Sequence, residues 1–415
     1  MHLVIVNQYG LPAGASGITR HGDLGAALVR QGHDVTVIAS RFNYLTRDAS
    51  GSRRTSRSVH DGVRFVWLDT GSYRANDGQR IRSMLAYSLR ATWTALRLDH
   101  RPDVVMGSSP HLLAGLVGAL VARRFGVPYL FEVRDLWPSA LVDLGAVRAG
   151  GLVHRALELV ERVCYRVADR IVIVPPHAHR RVGEMGTDPG RCVHIPNASA
   201  GPTDGPVEPL PASLEAILAS FEGRQIVMYA GAQGVSNGLD LVLEAMDLLR
   251  DEEPATYASL AVVLIGDGGR HDALVAAAAA RGHAHLAFHP PIAKAAIPAA
   301  LARASALLVS FADAAVYAYG LSPNKLFDYL AAGRPVLLAS RLPDTPVAEA
   351  DAGRTYDPGS ARSLAAALAD LLACSPEERA AMGRRGQALV RERYSIDVTG
   401  RQLGDLLRTV APGAT

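Results

Sequence analysis

The sequence predicts an α/β protein built from two doubly wound, Rossmann-like domains. Three observations carry this. The 415 residues exceed what one ordinary hydrophobic core fills. Short apolar runs alternate with helix-period stretches through both halves, the pattern of repeated βα units over a parallel sheet. Between the halves, residues 199–211 (SAGPTDGPVEPLP) are rich in Pro and Gly and read as a linker. The expected domains are 1–198 and 199–396.

Composition narrows the class. Hydrophobic residues make up 49% and charged residues 20%, which fits a globular chain and excludes a disordered one. Cys164, Cys192 and Cys374 are far apart and form no CxxC, so neither a zinc site nor a disulfide frame is expected and a reducing compartment fits. The first strand follows Met1 and His2 directly, so no secretory leader is expected. The longest apolar run, 112–122, is too short to span a bilayer and ends at Arg123-Arg124. A soluble or peripheral cytoplasmic protein is the expectation. Charge is uneven: residues 1–200 hold 25 Arg, no Lys and 16 acidic residues, net +9, and the remainder carries −6. A basic first half suits an anionic acceptor or a membrane surface, and chance surface composition is the other reading. Nucleic acid is not expected, because aromatic and basic residues do not interleave.

In the first half, residues 3–6 read as a buried strand. Residues 10–17 (GLPAGASG) follow as a glycine-rich loop in which Gly14 and Gly17 let backbone approach a ligand; a plain long turn is the alternative. GxGxxG follows neither leading strand, which argues against a nicotinamide dehydrogenase. A helix near 21–30 has Leu24, Ala27 and Leu28 on one face and Gly32 at its end, and residues 34–39 form the second strand. Residues 43–58, with Arg47, Arg53, Arg54 and Arg57, lack periodicity and read as a mobile loop. After a strand at 64–68 comes a long helix, 80–98. Ile81, Leu85, Leu89, Trp93 and Leu96 form its apolar stripe, with Arg82, Arg90 and Arg97 off it. That helix has two readings: packed on the core with a solvated basic face, or a surface for acidic lipid headgroups or a lipid-diphosphate. Strand 103–107 ends in Ser108-Ser109-Pro110-His111, and strand 129–133 runs into Arg134-Asp135-Leu136-Trp137-Pro138. Both ends belong where doubly wound sheets bind ligands. A helix at 152–168 and strands at 170–174 and 192–196 complete this half.

The second half begins with a strand at 225–229 and a polar, uncharged loop, 230–238 (AGAQGVSNG). Strand 261–265 enters Gly266-Asp267-Gly268-Gly269, strand 285–288 precedes Pro290-Pro291-Ile292-Ala293-Lys294, and strand 306–310 follows. The stretch that organises the chain is 320–336, GLSPNKLFDYLAAGRPV. Leu326, Phe327 and Leu330 fall at helical spacing, so Asn324–Ala331 is expected to be a helix. Ser322 and Pro323 supply its start, Gly333 its stop, and a strand follows at 336–339. Its amino end offers free N–H groups with Lys325 beside them, an anion site. Asp328, one turn on and on the face of Asn324, suits sugar hydroxyls. The alternative is an ordinary Rossmann-type helix with a surface Lys. Of 43 basic residues only Lys294 and Lys325 are Lys, so these positions need a compact ammonium if they are functional. Helices are expected at 361–372, 377–392 and 397–410. Neither DxD nor a His/Asp cluster is present, so no metal is expected.

SPNKLFDYLAAGRPV, FEVRDLWP, the glycine loop, the GDG turn and the PNAS sequence at 196–199 together resemble retaining glycosyltransferases of family GT4. The first of these looks like the branch of bacterial O-antigen and capsule N-acetylfucosamine-type transferases. The resemblance implies the GT-B fold, a cleft between two Rossmann-like domains, and a last helix within 397–415 that crosses back onto the first domain. It implies metal-independent transfer, with retention, of an N-acetylhexosamine-type sugar from a UDP-sugar. The acceptor would be a glycan, a lipid-linked intermediate or a small metabolite, met by a peripheral protein at the inner membrane face. By resemblance Gly14, Gly17, Gln233, Asn237, Gly266, Lys294, Ser322, Asn324, Lys325 and Asp328 would hold the donor. Ser109, His111 and Trp137 would meet the acceptor, although a solvated His111 and a core Trp137 are the plain alternatives. Glu132 and Asp135 would orient the attacking hydroxyl, and Lys325 would stabilise the leaving diphosphate. Arg134 stands where relatives have a His on the donor sugar, and Gly320 where a first Glu is usual; both are departures. No cofactor beyond the UDP-sugar co-substrate is implied. A UDP-sugar 2-epimerase of the same fold and a non-catalytic nucleotide-sugar binder remain as rivals.

Overall fold

The computed structural model describes residues 1–15, 17–42, 55–73, 78–201, 208–411 and 413. The chain forms two compact units, Met1–Asn197 with Tyr319–Ser322 and Ile396–Thr415, and Ala198–Ala318 with Pro323–Ser395.

The first unit opens with β1 (His2–Val6), α1 (Arg20–Arg30) and β2 (Asp34–Ser40). β3 (Ser56–His60), β4 (Val63–Leu68), α2 (Gly78–Ala95), β5 (Val104–Ser108) and α3 (Leu112–Phe125) follow. Then come β6 (Tyr129–Val133), α4 (Ser139–Asp143), α5 (Leu152–Val167), β7 (Arg170–Ile173), α6 (Ala178–Glu184) and β8 (Cys192–His194). The second unit runs α7 (Ala212–Ser220), β9 (Gln225–Ala230), α8 (Asp240–Glu252), α9 (Pro254–Ser259), β10 (Leu260–Ile265), α10 (His271–Arg281) and β11 (Leu286–His289). It continues with α11 (Ile297–Ala302), β12 (Ala306–Val309), α12 (Asn324–Ala331), β13 (Val336–Ala339), α13 (Pro346–Glu349) and β14 (Gly353–Tyr356). α14 (Ala361–Ala373) and α15 (Pro376–Arg393) close it, and α16 (Ile396–Val410) belongs to the first unit.

The first sheet has the order β3-β4-β2-β1-β5-β6-β7-β8 and is parallel except for the β3–β4 pair. The second, β11-β10-β9-β12-β13-β14, is parallel throughout. β1, β5, β6, β10, β12 and β13 are buried along their whole length, as continuous apolar runs covered on both faces must be. α16 packs against α1, and its Leu403 and Leu407 join Leu3, Ile5, Leu24 and Leu28 in one core. α3 packs against α2 and against α5. Local signals set several helix starts: Ser360 and Thr345 cap α14 and α13, and Ser375 with Glu378 forms a capping box on α15.

The structure corrects two expectations. The end of the supposed loop at 43–58 is strand: Ser56–His60 pairs antiparallel with β4. It escapes periodicity because an edge strand needs no buried apolar face; Arg47, Arg53 and Arg54 lie outside the described residues. In the 199–211 stretch the described residues form no helix or strand before α7 begins at Ala212, and Ser199 donates its N–H to the carbonyl of Tyr394; residues 202–207 lie outside the description. The larger correction concerns α2. Its stripe faces solvent, with Leu89 75% and Trp93 64% exposed, while Ser83, Tyr87, Ala91 and Ala95 face inward. Small inward residues let a helix sit close to its neighbours, and Tyr87 anchors it by donating its hydroxyl to the Ile38 carbonyl at 2.7 Å.

Candidate functional site

In the second unit the candidate site lies at the amino end of α12. This helix spans Asn324–Ala331, as its apolar spacing predicts, and buries Leu326, Phe327, Tyr329 and Leu330. Tyr329 ties it to the end of β9: its hydroxyl accepts from the Ala230 N–H at 2.7 Å and donates to the Ala230 carbonyl at 3.0 Å. Lys325 is thereby set against the β9 end. Its Nζ donates to the Tyr229 hydroxyl at 2.7 Å and lies 4.1 Å from the centre of that ring. Tyr229 in turn donates to the Ala232 carbonyl at 2.5 Å, so the phenol can only accept from the ammonium. Among the described residues no carboxylate pairs with Lys325. Burial without a counter-charge pushes its pKa down to about 7.

The turn beside Lys325 requires glycine. A Cβ on Gly231 would stand 2.7 Å from Nζ. Gly266, at φ +139°, would drive a Cβ within 1.9 Å of the Gly231 carbonyl oxygen. Gly266 thus allows two loops to touch backbone to backbone. Gln233 locks them together and is fully buried. Its amide donates to the Gly266 carbonyl at 3.2 Å, its Oε1 lies 2.8 Å from His271 Nδ1, and its N–H donates to the Asp267 carbonyl. Gln233 is therefore spent on the scaffold and not free for a donor. Asn237 is similar, its Oδ1 accepting from the Gly234 N–H at 3.3 Å in its own turn.

Asp328 is half-buried and accepts from the Ser199 hydroxyl at 2.8 Å. Asn324 opens the helix, half-buried, and Lys294 is exposed at the start of a turn. Ser322 does not cap α12: the N-cap is Pro323, without a side-chain bond, and the Ser322 hydroxyl accepts from the Asn197 N–H at 3.0 Å. Gly320 explains its own departure from the usual Glu. It sits at φ +91°, and a Cβ would meet Pro176 Cγ at 2.5 Å, so no acidic side chain fits there.

The first unit gathers polar groups at the carboxyl ends of β1, β5 and β6. Glu132 is fully buried at the centre. It accepts from Arg20 Nε at 2.8 Å, from His21 Nε2 at 2.7 Å and from the Ser108 hydroxyl at 2.6 Å. His21 Nδ1 lies 2.7 Å from Asn7 Nδ2, while Asn7 Oδ1 accepts from the Tyr9 N–H. Those partners assign a neutral imidazole protonated on Nε2. Burial lowers the His21 pKa, in agreement. For Glu132 burial works the other way, but His21 and Arg20 outweigh it and hold the carboxyl well below the ordinary range. Arg20 also donates to the carbonyls of Ile195 and Pro196 and to Asn197 Oδ1. Glu132 is thus not a free group beside an acceptor hydroxyl but the hub of a buried network. Arg20, His21 and Asn7 carried no sequence signal, because they come from segments over a hundred positions from Glu132, whereas Ser108 lies at the strand end already expected to meet ligands.

Ser109 is consumed as well: buried, it accepts on Oγ from the Arg134 N–H at 2.8 Å and donates its own N–H to the Glu132 carbonyl. His111 is not a solvated loop residue. It is the N-cap residue of α3, 1% exposed, with neither ring nitrogen bonded among the described residues, and burial pushes its pKa down to about 3. Among the described residues, Arg134 Nε and Nη1 are buried without a partner. Asp135 is exposed, yet desolvation by surrounding protein raises its pKa against the pull of Arg134. Trp137 is half-buried beneath the Arg80 guanidinium, 5.6 Å from its ring centre. Gly14 and Gly17 take positive φ in their loop, and a side chain at Gly14 would meet open space.

Comparison with known proteins adds identity to this geometry. Residues 16–198 match the glycosyl transferase 4-like domain family, and residues 224–374 match the glycosyl transferases group 1 family. The chain is 25% identical over 268 residues to the probable glycosyltransferase WbjE of Pseudomonas aeruginosa, covering 64% of each chain. It is 28% identical over 324 residues to the putative colanic acid biosynthesis glycosyl transferase WcaI of Escherichia coli K12, covering 75% of this chain and 76% of that one. The solved structure of trehalose-6-phosphate from E. coli bound with UDP-2-fluoro glucose aligns over 99% of both chains, at a TM-score of 0.73 and 14% identity. Together with the two largely parallel sheets, that likeness makes the fold GT-B.

Proposed function

We propose that this chain, whose two halves match the glycosyl transferase 4-like domain and the glycosyl transferases group 1 families, transfers a sugar from a UDP-sugar to an acceptor hydroxyl. The observation that carries the donor reading is Lys325, a cation without a counter-charge at the amino end of a helix. A diphosphate there would restore the ammonium's lost solvation, with the helix dipole adding to it. Asp328 would accept from the ribose hydroxyls. We further propose transfer with retention of an N-acetylhexosamine-type sugar, by front-face attack in which a donor phosphate oxygen helps take the acceptor proton. Charge on the departing UDP would be met by Lys325 without a metal. The acceptor would be a glycan, a lipid-linked intermediate or a small metabolite, with peripheral contact to a membrane. Asp135 and Arg134 are the groups left free to meet substrate in the first unit, and Glu132 would position their loop.

Two measurements test this. UDP release from a panel of UDP-sugars, with and without lipid and saccharide acceptors, should depend on acceptor. Epimerised donor without UDP would mean an isomerase, and binding without turnover a non-catalytic binder. Separately, Asp328→Asn keeps the shape and weakens charge-assisted bonds, so UDP affinity by calorimetry should fall by about 1.5–3 kcal/mol. An unchanged affinity removes Asp328 from the ribose.

A further inference from the structure

We propose that α2, α3 and α5 form a docking face for an anionic lipid bilayer. The inference deepens the peripheral membrane contact suggested above and rests on that reading. On α2, Ile81, Leu85, Leu89 and Trp93 follow one another at four-residue spacing, and all are exposed, from 49% to 75%. On α5, Leu152 is 87% exposed, Val153 62% and Leu159 60%. α3, which packs against both helices, adds Leu120 at 49%. An exposed apolar set spread over three adjoining helices is larger than the scattered apolar residues of an ordinary surface.

Charge chooses the occupant. α2 and α3 contain five Arg (Arg80, Arg82, Arg90, Arg123 and Arg124) and no acidic residue. Arg97 follows α2 with its guanidinium 3.0 Å from the centre of the Trp93 ring, an aromatic and a cation held together at the apolar edge. On α5, Arg155, Arg162 and Arg166 are exposed, whereas its two carboxylates both pair with Arg181, the part-exposed Glu158 at 3.4 Å and the buried Glu161 at 2.7 Å. Apolar side chains ringed by arginine match the layered chemistry of an anionic bilayer, with acyl chains beneath and phosphates above. A second copy meeting this face through a two-fold axis would set arginine against arginine. Among the described residues no helix is long and apolar enough to cross a membrane, so the contact is one of lying on the surface.

The test is flotation of the full-length protein with phosphatidylglycerol-containing vesicles and with phosphatidylcholine vesicles. Binding is expected to the former, weakening as salt rises. Leu89→Glu with Trp93→Glu, and separately Arg82→Glu with Arg97→Glu, should each cut the bound fraction by roughly tenfold or more. UDP affinity, read on the same preparations, should stay unchanged and so show that the variants are folded. No flotation at low salt overturns the proposal even if acceptor-dependent turnover stands, and flotation without turnover would instead remove the catalytic reading. A dimer in solution that Leu89→Glu dissociates, with no vesicle binding, would overturn it in favour of a self-interface. Capture by zwitterionic vesicles as strong as by anionic ones would overturn the role given to the arginines.

Discussion

Lys325→Ala is expected to lower kcat/KM by roughly 100-fold or more, because the cation that would stabilise the departing diphosphate is lost. Lys325→Arg should rescue poorly. The Nζ packs on the Tyr229 hydroxyl beside Gly231, where even an added Cβ would come within 2.7 Å of it, and a planar guanidinium needs more room than the compact ammonium. Burial supplies a pH signature. The free protein's Lys325 titrates at about 7, so its charge is complete below that pH and lost above it. UDP affinity should therefore fall as pH rises through 7. A bound diphosphate raises the pKa again, so binding above pH ~7 should draw a proton from buffer, and Lys325→Ala should abolish that uptake. Stability has the opposite sign. The unfolded chain holds this proton up to about pH 10.4, so the native state is penalised most below pH ~7 and the penalty fades as pH climbs toward 10. The apo variant should therefore melt higher than the parent near neutrality, with the difference shrinking in alkali. Near-normal turnover in Lys325→Ala would mean that other cations carry the leaving-group charge.

Glu132→Ala should be the most destabilising single change in the first unit, by about 3–5 kcal/mol in chemical denaturation. It leaves Arg20, His21 and Ser108 without their acceptor in a site closed to water. Glu132→Gln, which keeps one carbonyl oxygen, should cost less. The contribution also has a pH window. The Glu132 carboxyl is held well below its usual range, so its stabilisation is complete above the unfolded value of about 4.3 and is lost as pH falls through the lower folded value. If Glu132 instead meets substrate directly, Glu132→Gln will lose turnover while its denaturation curve stays at the parent's position.

Much of the fold was legible. The apolar runs of β1, β5, β6, β10 and β13 and the spacing of α12 specify their elements locally, because a buried strand or a helix face needs only its own residues to declare it. The alternation of those elements and the motif spacings were enough to indicate the fold class and the family. α2 shows where this fails. Its stripe has perfect helical spacing, yet the packed side is made of Ser83, Tyr87, Ala91 and Ala95, and periodicity reports only that two faces differ. Which one points inward depends on the sheet beneath.

The site divides the same way. Sequence alone determined that a lysine stands one residue into α12, that Asp328 follows one turn later, and that Gly266 sits in a tight turn, since each is a matter of residue type and spacing. Tertiary structure decided what these groups can do. It set Lys325 on Tyr229, 96 positions away, and left it without a counter-charge. It spent Gln233 on the Gly266 carbonyl and closed Glu132 within Arg20, His21 and Ser108. It also filled the space at Gly320 with Pro176. A side chain's freedom to meet a ligand depends on whether the fold has already satisfied its hydrogen bonds and charge, and those partners come from strands and loops that only packing brings together.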